Sequence, residues 1–438
     1  MTYPEAINYL EGFIDYERIP FFPYKESLKL ERIRYFLDSI HNPQESLRCL
    51  HIAGSKGKGS TCVFLTYILR EAGFQVGLYT SPHLSDFRER IRVLKPTTKD
   101  PASPAGRQRP TTDFEGMISR LELTRVVERL KPAIEKFNAE STYGPLTFFE
   151  VYTALALVYF QERKVDFAVL ETGLGGRLDA TNTVTPLVCA ITPISHEHTQ
   201  KLGNTLREIA TEKCGIIKSH GVVISAPQEA EVQEVIRDKC KEMGARLVEV
   251  KSKPPKLKTK LIGRHQLVNA AVALAAAKAL GNYNIKISRD AIRRGLAQAK
   301  WPGRCEVISK KPFLVLDGAQ NVASAQALRK AIKEKFSYKK LILVLGISSD
   351  KDIAGICKEV CPLAETIILT QANNPRAADV NSLEKVIREQ ITEKRLQIVK
   401  TKDVKKARVE TLRLANKEDL ILVTGSLFVV GEFRNVKI

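Results

Sequence analysis

The stretch Gly54-Ser55-Lys56-Gly57-Lys58-Gly59-Ser60 combines glycines, a lysine and a hydroxyl in an order suited to a triphosphate. Glycines let the backbone curl so that successive N–H groups and the start of a following helix face an anion. In such a loop Lys58 reaches the β/γ-phosphates and the Ser60 hydroxyl ligates Mg²⁺. The spelling is unusual, because Gly59 stands where serine or threonine commonly follows the lysine directly. The flanks supply the required context. Arg48 to Ala53 is short and apolar and predicts a strand; Thr61 to Ala72 carries apolar residues at helical spacing and ends at Gly73. The chain is therefore expected to handle a nucleoside triphosphate.

Three further residues could do chemistry beside that loop. Glu171 ends a buried strand predicted over Val165 to Leu170 and enters the glycine-rich turn Gly173 to Gly176. Ligands of open α/β sheets gather beyond the carboxyl ends of strands, so this carboxylate suits a hard oxygen ligand for Mg²⁺. Pairing with Arg177 or capping the turn is the plain alternative. His196 and His198 sit one residue apart in a loop after a second strand, Leu187 to Thr192; imidazole prefers softer metals than Mg²⁺. Lys213 lies near the end of a helix predicted over Thr205 to Lys213, where a cation is favourable in its own right.

The elements that must position these groups alternate along the chain. A strand at Val222 to Ala226 and helices at Thr147 to Gln161, Glu229 to Met243, Gln266 to Leu280 and Ser288 to Ala299 imply a mostly parallel sheet with helices on both faces. Trp301-Pro302-Gly303 breaks the pattern. Strands at Phe313 to Leu316, Leu341 to Leu345, Thr366 to Leu369, Leu396 to Val399 and Leu420 to Val423 follow, with helices such as Ala323 to Phe336 and Val404 to Ala415 between them. The fold class is thus α/β: a P-loop NTPase-like, mostly parallel sheet domain over residues 1–299, then a smaller Rossmann-like domain over 300–438. The proline-, threonine- and base-rich stretch at about 94–113 reads as an insertion within the first domain.

Bulk properties narrow the class. At 438 residues the chain exceeds what one core normally serves. No apolar run approaches the ~20 residues of a membrane span, and the N-terminus lacks a basic start followed by an apolar stretch. Eight cysteines without paired spacing read as reduced thiols of a cytoplasmic protein; Cys357 and Cys361 lack a second pair to complete a zinc site. The net charge of +20 is spread along the chain among acids, with no aromatic-flanked basic motif. A cleft for ATP and a small polyanion explains it better than nucleic acid does, and a generally basic proteome explains it equally well. No nucleic-acid or membrane partner is expected.

The spelling Gly-x-x-Gly-Lys-Gly-Ser after a strand resembles the Mur-ligase-like ATP-dependent amide ligases, in particular the folylpolyglutamate synthase/dihydrofolate synthase family. Further segments carry the resemblance in order: Gly77-Leu78-Tyr79-Thr80-Ser81-Pro82-His83-Leu84 with Arg88-Glu89-Arg90-Ile91, Leu170 to Asn182, Leu202-Gly203-Asn204-Thr205, Glu212 to Lys218, and Trp301-Pro302-Gly303-Arg304. It spans nearly the whole chain, from about residue 20 to Val430. The resemblance implies that Ser81, Glu171 and His198 join Ser60 as ligands of Mg²⁺, with two ions in the site. It also implies that Lys213 is carbamylated by CO₂, which needs a neutral amine and hence a lowered pKa. Asn269 in the His265-Gln266 segment would contact the nucleotide base, Arg304 would swing onto the triphosphate as the domains close, and Asp317 would contact ribose or phosphate. Substrate contacts would come from Leu28 to Arg32 and His83 to Phe87, with His83, Arg88 and Phe148 as candidates. Phe148 and Phe149 would form an apolar wall, or at least one of them would pack in the core.

The implied activity is ATP-dependent ligation of L-glutamate to a pterin or folate carboxylate. That carboxylate attacks the γ-phosphate to give an acyl phosphate, and the amine of glutamate then displaces phosphate, with folate or dihydropteroate as acceptor. Positioning and electrostatics supply the acceleration, and a monomer is expected. Two departures stand out: Glu197 precedes His198 where the family usually has Asp, and Gln320 follows Asp317-Gly318-Ala319 where it has histidine. Glutamine donates hydrogen bonds but carries no charge. The alternatives are a Mur-type or other carboxylate–amine ligase, disfavoured because only 53 residues precede Gly54, and a ligase-derived binding protein with catalysis weakened at Gln320. A nucleic-acid-dependent ATPase gains no support from Glu171, His198 and Lys213.

Overall fold

The computed structural model describes residues 1–19, 22–97, 114–252, 257–390 and 396–436. Two compact units emerge. One comprises Met1–His83, Phe87–Lys260 and Gln266–Ala299; the other Leu84–Asp86, Leu261–His265 and Lys300–Ile438. The division is therefore not the single cut between residues 299 and 300 expected from the sequence.

The first unit is built on a seven-stranded sheet ordered β3-β2-β4-β1-β5-β6-β7. Its strands are β1 (Cys49–Ala53), β2 (Val76–Tyr79), β3 (Ile91–Leu94), β4 (Phe167–Glu171), β5 (Val188–Ile191), β6 (Val222–Ser225) and β7 (Arg246–Glu249). All neighbours are parallel except β2 and β3, where Val76 faces Leu94. Every residue of β1, β4 and β5 is buried, as strands covered on both faces require. β1 is central: Ile52 lies opposite Glu171 of β4, and Ala53 opposite Ile191 of β5. The loops leaving β4, β1 and β5 consequently emerge side by side at one sheet edge, which is where an open α/β sheet collects its ligands.

Six helices of this unit matter for the site: α1 (Leu30–Ser39), α2 (Lys58–Glu71), α3 (Phe148–Glu162), α4 (Leu206–Cys214), α5 (Ala230–Glu242) and α6 (Arg264–Ala279, its first two residues in the other unit). α2 is buried from Ser60 to Glu71, which fixes its N-terminus firmly. It packs on a further helix, α7 (Arg289–Gln298), so closely that a Cβ on Gly295 would lie 2.5 Å from the Ile68 Cα. α3 starts from a capping box in which Thr147 accepts from the Glu150 N–H and Glu150 answers the Thr147 N–H. Glu150 also holds Arg32 of α1 at 2.9 Å in a buried ion pair.

The second unit has a six-stranded sheet, order β12-β11-β10-β13-β9-β8, parallel except for β8 (Glu306–Lys310) against β9 (Phe313–Leu316). β10 (Leu341–Leu345), β11 (Thr366–Leu369), β12 (Gln397–Lys400) and β13 (Leu420–Thr424) complete it, with helices including α8 (Val322–Lys335) between strands. Two expectations need correction, one in this unit and one in the first. β8 precedes β9, so Asp317 follows the second strand of this sheet. β3 runs through Leu94, so the expected insertion cannot begin there; residues 98–113 of it lie outside the described residues. All eight cysteines are buried and unpaired. Among the described residues no helix is long and apolar enough to cross a membrane.

Candidate active site

The glycine loop follows β1 and turns into α2 through two left-handed positions, Gly54 (φ +147°) and Gly57 (φ +83°). Neither tolerates a side chain. A Cβ on Gly54 would lie 1.9 Å from the Thr192 Oγ1, and one on Gly57 would lie 2.1 Å from the Asn269 Oδ1. Gly57 is itself the N-cap of α2, and no side chain caps that helix. Its first N–H groups are thus offered to a ligand, together with the positive end of the helix dipole.

The front of the loop differs from the expectation. The Ser55 and Lys56 N–H groups both donate to the Pro193 carbonyl at 3.1 Å, so they are clamped to the loop leaving β5. The Ser55 hydroxyl reinforces the clamp, donating to the Ser195 carbonyl at 3.0 Å and accepting from its N–H at 3.1 Å. The part of the loop left for an anion is accordingly the helix start, Gly57 to Ser60, with Ser60 buried and Lys58 half-buried.

Glu171 is 5% exposed, and its Oε2 accepts from the Ser81 N–H at 3.3 Å. This ties together two of the expected metal ligands. Arg177, the alternative partner for Glu171, instead holds Glu212 at 2.8 Å. The Ser81–Pro82 peptide is cis. His198 lies in the same loop as Ser195; it is exposed, has a left-handed backbone (φ 54°) and stands at the start of a short helix, Thr199–Leu202. Among the described residues no three His, Cys, Asp or Glu side chains converge on one point. Ser81 and Glu171, joined by that bond, and Ser60 at the start of α2 could offer hydroxyl and carboxylate oxygens, hard donors suited to an ion that completes its shell with phosphate oxygens and water.

Lys213 is the clearest departure from its plain reading. Its ammonium does not serve its own helix end. It is 3% exposed and donates to the Gly54 carbonyl at 2.9 Å, across the sheet edge. Burial, then the charge of Lys58, push its pKa down from the usual lysine range to about 7, against the opposing pull of Glu197 and Asp179. Close packing makes this reach possible: Gly176 admits the Lys213 carbonyl where a Cβ would lie 2.7 Å from it, and Gly215 admits Arg177.

Sequence reasoning missed the groups that brace this site. Asp179 accepts from the Leu174 N–H at 2.8 Å, the Thr181 N–H at 3.0 Å and the Thr181 hydroxyl at 2.5 Å, fixing the turn after Glu171. The Thr181 hydroxyl also meets the Nε2 of His51, a fully buried β1 residue whose pKa burial lowers to about 3. Glu197, noticed only as a departure, sits close enough to Lys56 and Lys213 to oppose the lowering of both. An Asp-Ala-Thr step entering a short helix was a readable capping signal for Asp179; the clamp at Pro193 had none.

The expected substrate residues fare unevenly. Phe148 is 1% exposed and packs on Phe87 and Tyr152, so it presents no surface to a substrate. Phe149 is the half-buried ring of the pair, lying where a Cβ on Gly173 would be 2.6 Å away. His83 accepts from the Arg90 Nε at 3.0 Å and lies 4.5 Å from the Phe87 ring. Burial and the Arg90 charge hold it well below the usual imidazole range, hence neutral. Arg88 stacks over Tyr3 at 5.7 Å. Arg32 is consumed by Glu150, whereas Leu28 and Leu174 both pack against the buried cluster that contains Tyr24. Asn269, expected at the base, lies with its amide against Gly57 and donates to the Gln266 Oε1 at 3.1 Å.

In the second unit the Asp317 carboxylate accepts from the Cys305 N–H at 2.7 Å and the Ala319 N–H at 2.9 Å, one bond to each oxygen. Burial raises its pKa against the opposing Arg304 charge. It acts as a brace for both neighbouring turns. Arg304 is half-buried beside Gly318. The Gln320 N–H donates to the Ser324 hydroxyl at 3.2 Å, just ahead of the Asn321 cap of α8.

Comparison with known proteins decides what kind of site this is. Residues 303–427 match the model of the Mur ligase, glutamate ligase domain. The dihydrofolate synthase/folylpolyglutamate synthase of Bacillus subtilis is 33% identical over 434 residues, covering 92% of this chain and 94% of that protein. The chain belongs to the folylpolyglutamate synthase/dihydrofolate synthase family. Solved structures agree. Thermotoga maritima folylpolyglutamate synthase has a TM-score of 0.80 at 32% identity, covering 99% of this chain and 96% of its own. E. coli FolC in complex with DHPP and ADP gives 0.80 at 29%, covering 99% and 97%. Against this background neither a Mur-type ligase of another kind nor a binding protein weakened at Gln320 is favoured.

Proposed function

We propose that this protein joins the amino group of L-glutamate to the carboxylate of a pterin-type acceptor, dihydropteroate or a folate, at the expense of ATP. The observation that carries the reading is the uncapped start of α2 behind Gly57, with Lys213 buried on the Gly54 carbonyl and Glu171 on the adjacent strand end. ATP would lie with its phosphates on the Gly57 to Ser60 N–H groups, and Lys58 would offset charge as the γ-phosphoryl group transfers. The acceptor carboxylate attacks that phosphorus and ADP leaves; the glutamate amine then attacks the acyl carbon, gives up a proton and displaces inorganic phosphate. No protein nucleophile takes part. The chain's contribution is to hold the reacting groups in line and to exclude water.

Ser60, Ser81, Glu171 and His198 would hold Mg²⁺, which when bound supplies charge neutralisation on the phosphate oxygens. A lysine of pKa about 7 is substantially neutral at physiological pH. Its amine can add CO₂ and release a proton, giving an anionic carbamate suited to a second ion. Lys58 and Glu197 act on it in opposite senses and set the local balance of charge.

The test is ADP release by the purified protein with Mg-ATP and L-glutamate, comparing dihydropteroate, tetrahydrofolate and no acceptor, with products weighed by mass spectrometry. A glutamyl mass increment on either acceptor is expected. Release of ADP that ignores both acceptors would refute the reading.

A further inference from the structure

A cavity of about 590 Å³ lies within the first unit, among α1, α4 and α5. It is separate from the loop that receives ATP. Its size falls in the range of drug-sized ligand pockets. Part of its wall is apolar, with Leu30, Cys214, Val235 and Met243 contributing side chains. The remainder is dominated by cations, opposed by the acids Asp238 and Glu242.

Most of those cations are already matched. Arg177 pairs with Glu212, Arg207 with Glu234 and Lys239 with Glu242. Arg34 and Lys218 are different. Among the described residues no carboxylate pairs with either, and Lys218 donates only to the backbone and side-chain oxygens of Asn182, at 3.2 and 2.8 Å. Asn182 is itself buried and held by the Arg177 and Gly215 carbonyls, so Lys218 projects from a rigid mount. Burial and the Arg34 charge together push the Lys218 ammonium below its ordinary range. Two cations thus face one cavity at each other's expense, an arrangement an anion would relieve.

We propose that this cavity is a second ligand site, for a small molecule joining an apolar ring to an anionic group. Arg34 and Lys218 hold the anion, and the wall of Leu30, Val235 and Met243 covers the ring. Carboxylate and phosphate share this chemistry. The site stands apart from the ligase reading: it uses none of the residues assigned to ATP or to the metal, and shares only Leu30 with the segment expected to contact substrate.

Calorimetry on the full chain tests it, with the phosphate loop saturated by a non-hydrolysable ATP analogue. The probes are para-aminobenzoyl-L-glutamate for carboxylate and phenyl phosphate for phosphate. At least one should bind saturably to the wild type, and the one that binds identifies the anion. Arg34→Glu should weaken it by at least about tenfold, because it places like charge opposite the ligand. Lys218→Met should weaken it similarly, and Arg34→Lys should largely restore it. Turnover measured on the same Arg34→Glu preparation should be unchanged. Absence of turnover in all preparations would count against the ligase and leave the binding result standing. Equal binding by wild type and both weakening variants, or no saturable binding of either probe, would overturn the proposal.

Discussion

Lys213 in the first unit and Asp317 in the second are both ionisable groups beside strand ends, and burial works against the charge of each. Their surroundings diverge. Both oxygens of Asp317 are spent on backbone N–H groups, so the carboxylate fastens the turns at Cys305 and Ala319. Lys213 gives one hydrogen bond to the phosphate loop and is otherwise surrounded by the charges of Lys58, Glu197 and Asp179. Desolvation alone therefore does not mark a reacting group. What separates the two is whether the polar atoms are used up by the fold.

The sharpest way to break the comparison is Lys213→Met. Loss of a pre-organised group in such a site typically costs about 10²–10³ in rate, so turnover should fall by about that much while circular dichroism stays native. pH sharpens it. The folded pKa is about 7 against an ordinary 10.5, so the folded state binds fewer protons between those values. This group's contribution to stability then rises with pH from about 7 to 10.5 and is flat below, where both states are protonated. The neutral amine appears over the same lower limit. Turnover should rise through about pH 7, fall in CO₂-free buffer and recover with bicarbonate; insensitivity to bicarbonate would remove the carbamate from the account.

Gly57→Ala comes next. The positive φ alone costs about 1–3 kcal/mol for a residue with a Cβ, and the Asn269 amide 2.1 Å away must also move. ATP affinity and the melting temperature should both drop, and unchanged ATP binding would contradict the cradle. Asp317→Ala should act on stability: each orphaned N–H costs about 1–3 kcal/mol, seen as a lower urea midpoint, and Asp317→Asn should recover part of it. The smallest effect is expected from Gln320→His, which should change turnover by no more than a factor of a few. A large gain would revive the reading in which Gln320 had weakened catalysis.

Much of the fold was legible. β1, the helix after it, β4, β5 and the parallel strands of the second sheet were visible because buried strands are short apolar runs closed by glycine or proline. Others were not: β7 (Arg246–Glu249) and β8 (Glu306–Lys310) are half-exposed and interrupted by charge, while β2 (Val76–Tyr79) and β3 (Ile91–Leu94), though buried, are broken by Gly77 and Arg92. The phosphate loop announced itself through its glycines. The clamp from Pro193 could not, because it joins residues about 140 positions apart through a backbone carbonyl. Phe148 and Phe149 show a finer failure. Two adjacent apolar residues opening a nearly all-buried helix leave no periodicity to say which one faces inward. Lys213 was legible as a helix-end cation, and only the close approach at Gly176 and Gly215 lets it reach the loop instead.

The acyl phosphate can be tested through its oxygen. With the acceptor carboxylate labelled in heavy oxygen, attack on the γ-phosphate leaves one labelled oxygen in each phosphate released. The account predicts one labelled phosphate per glutamate added, and none from Lys213→Met beyond its residual turnover. Unlabelled phosphate accompanying glutamate addition would contradict it.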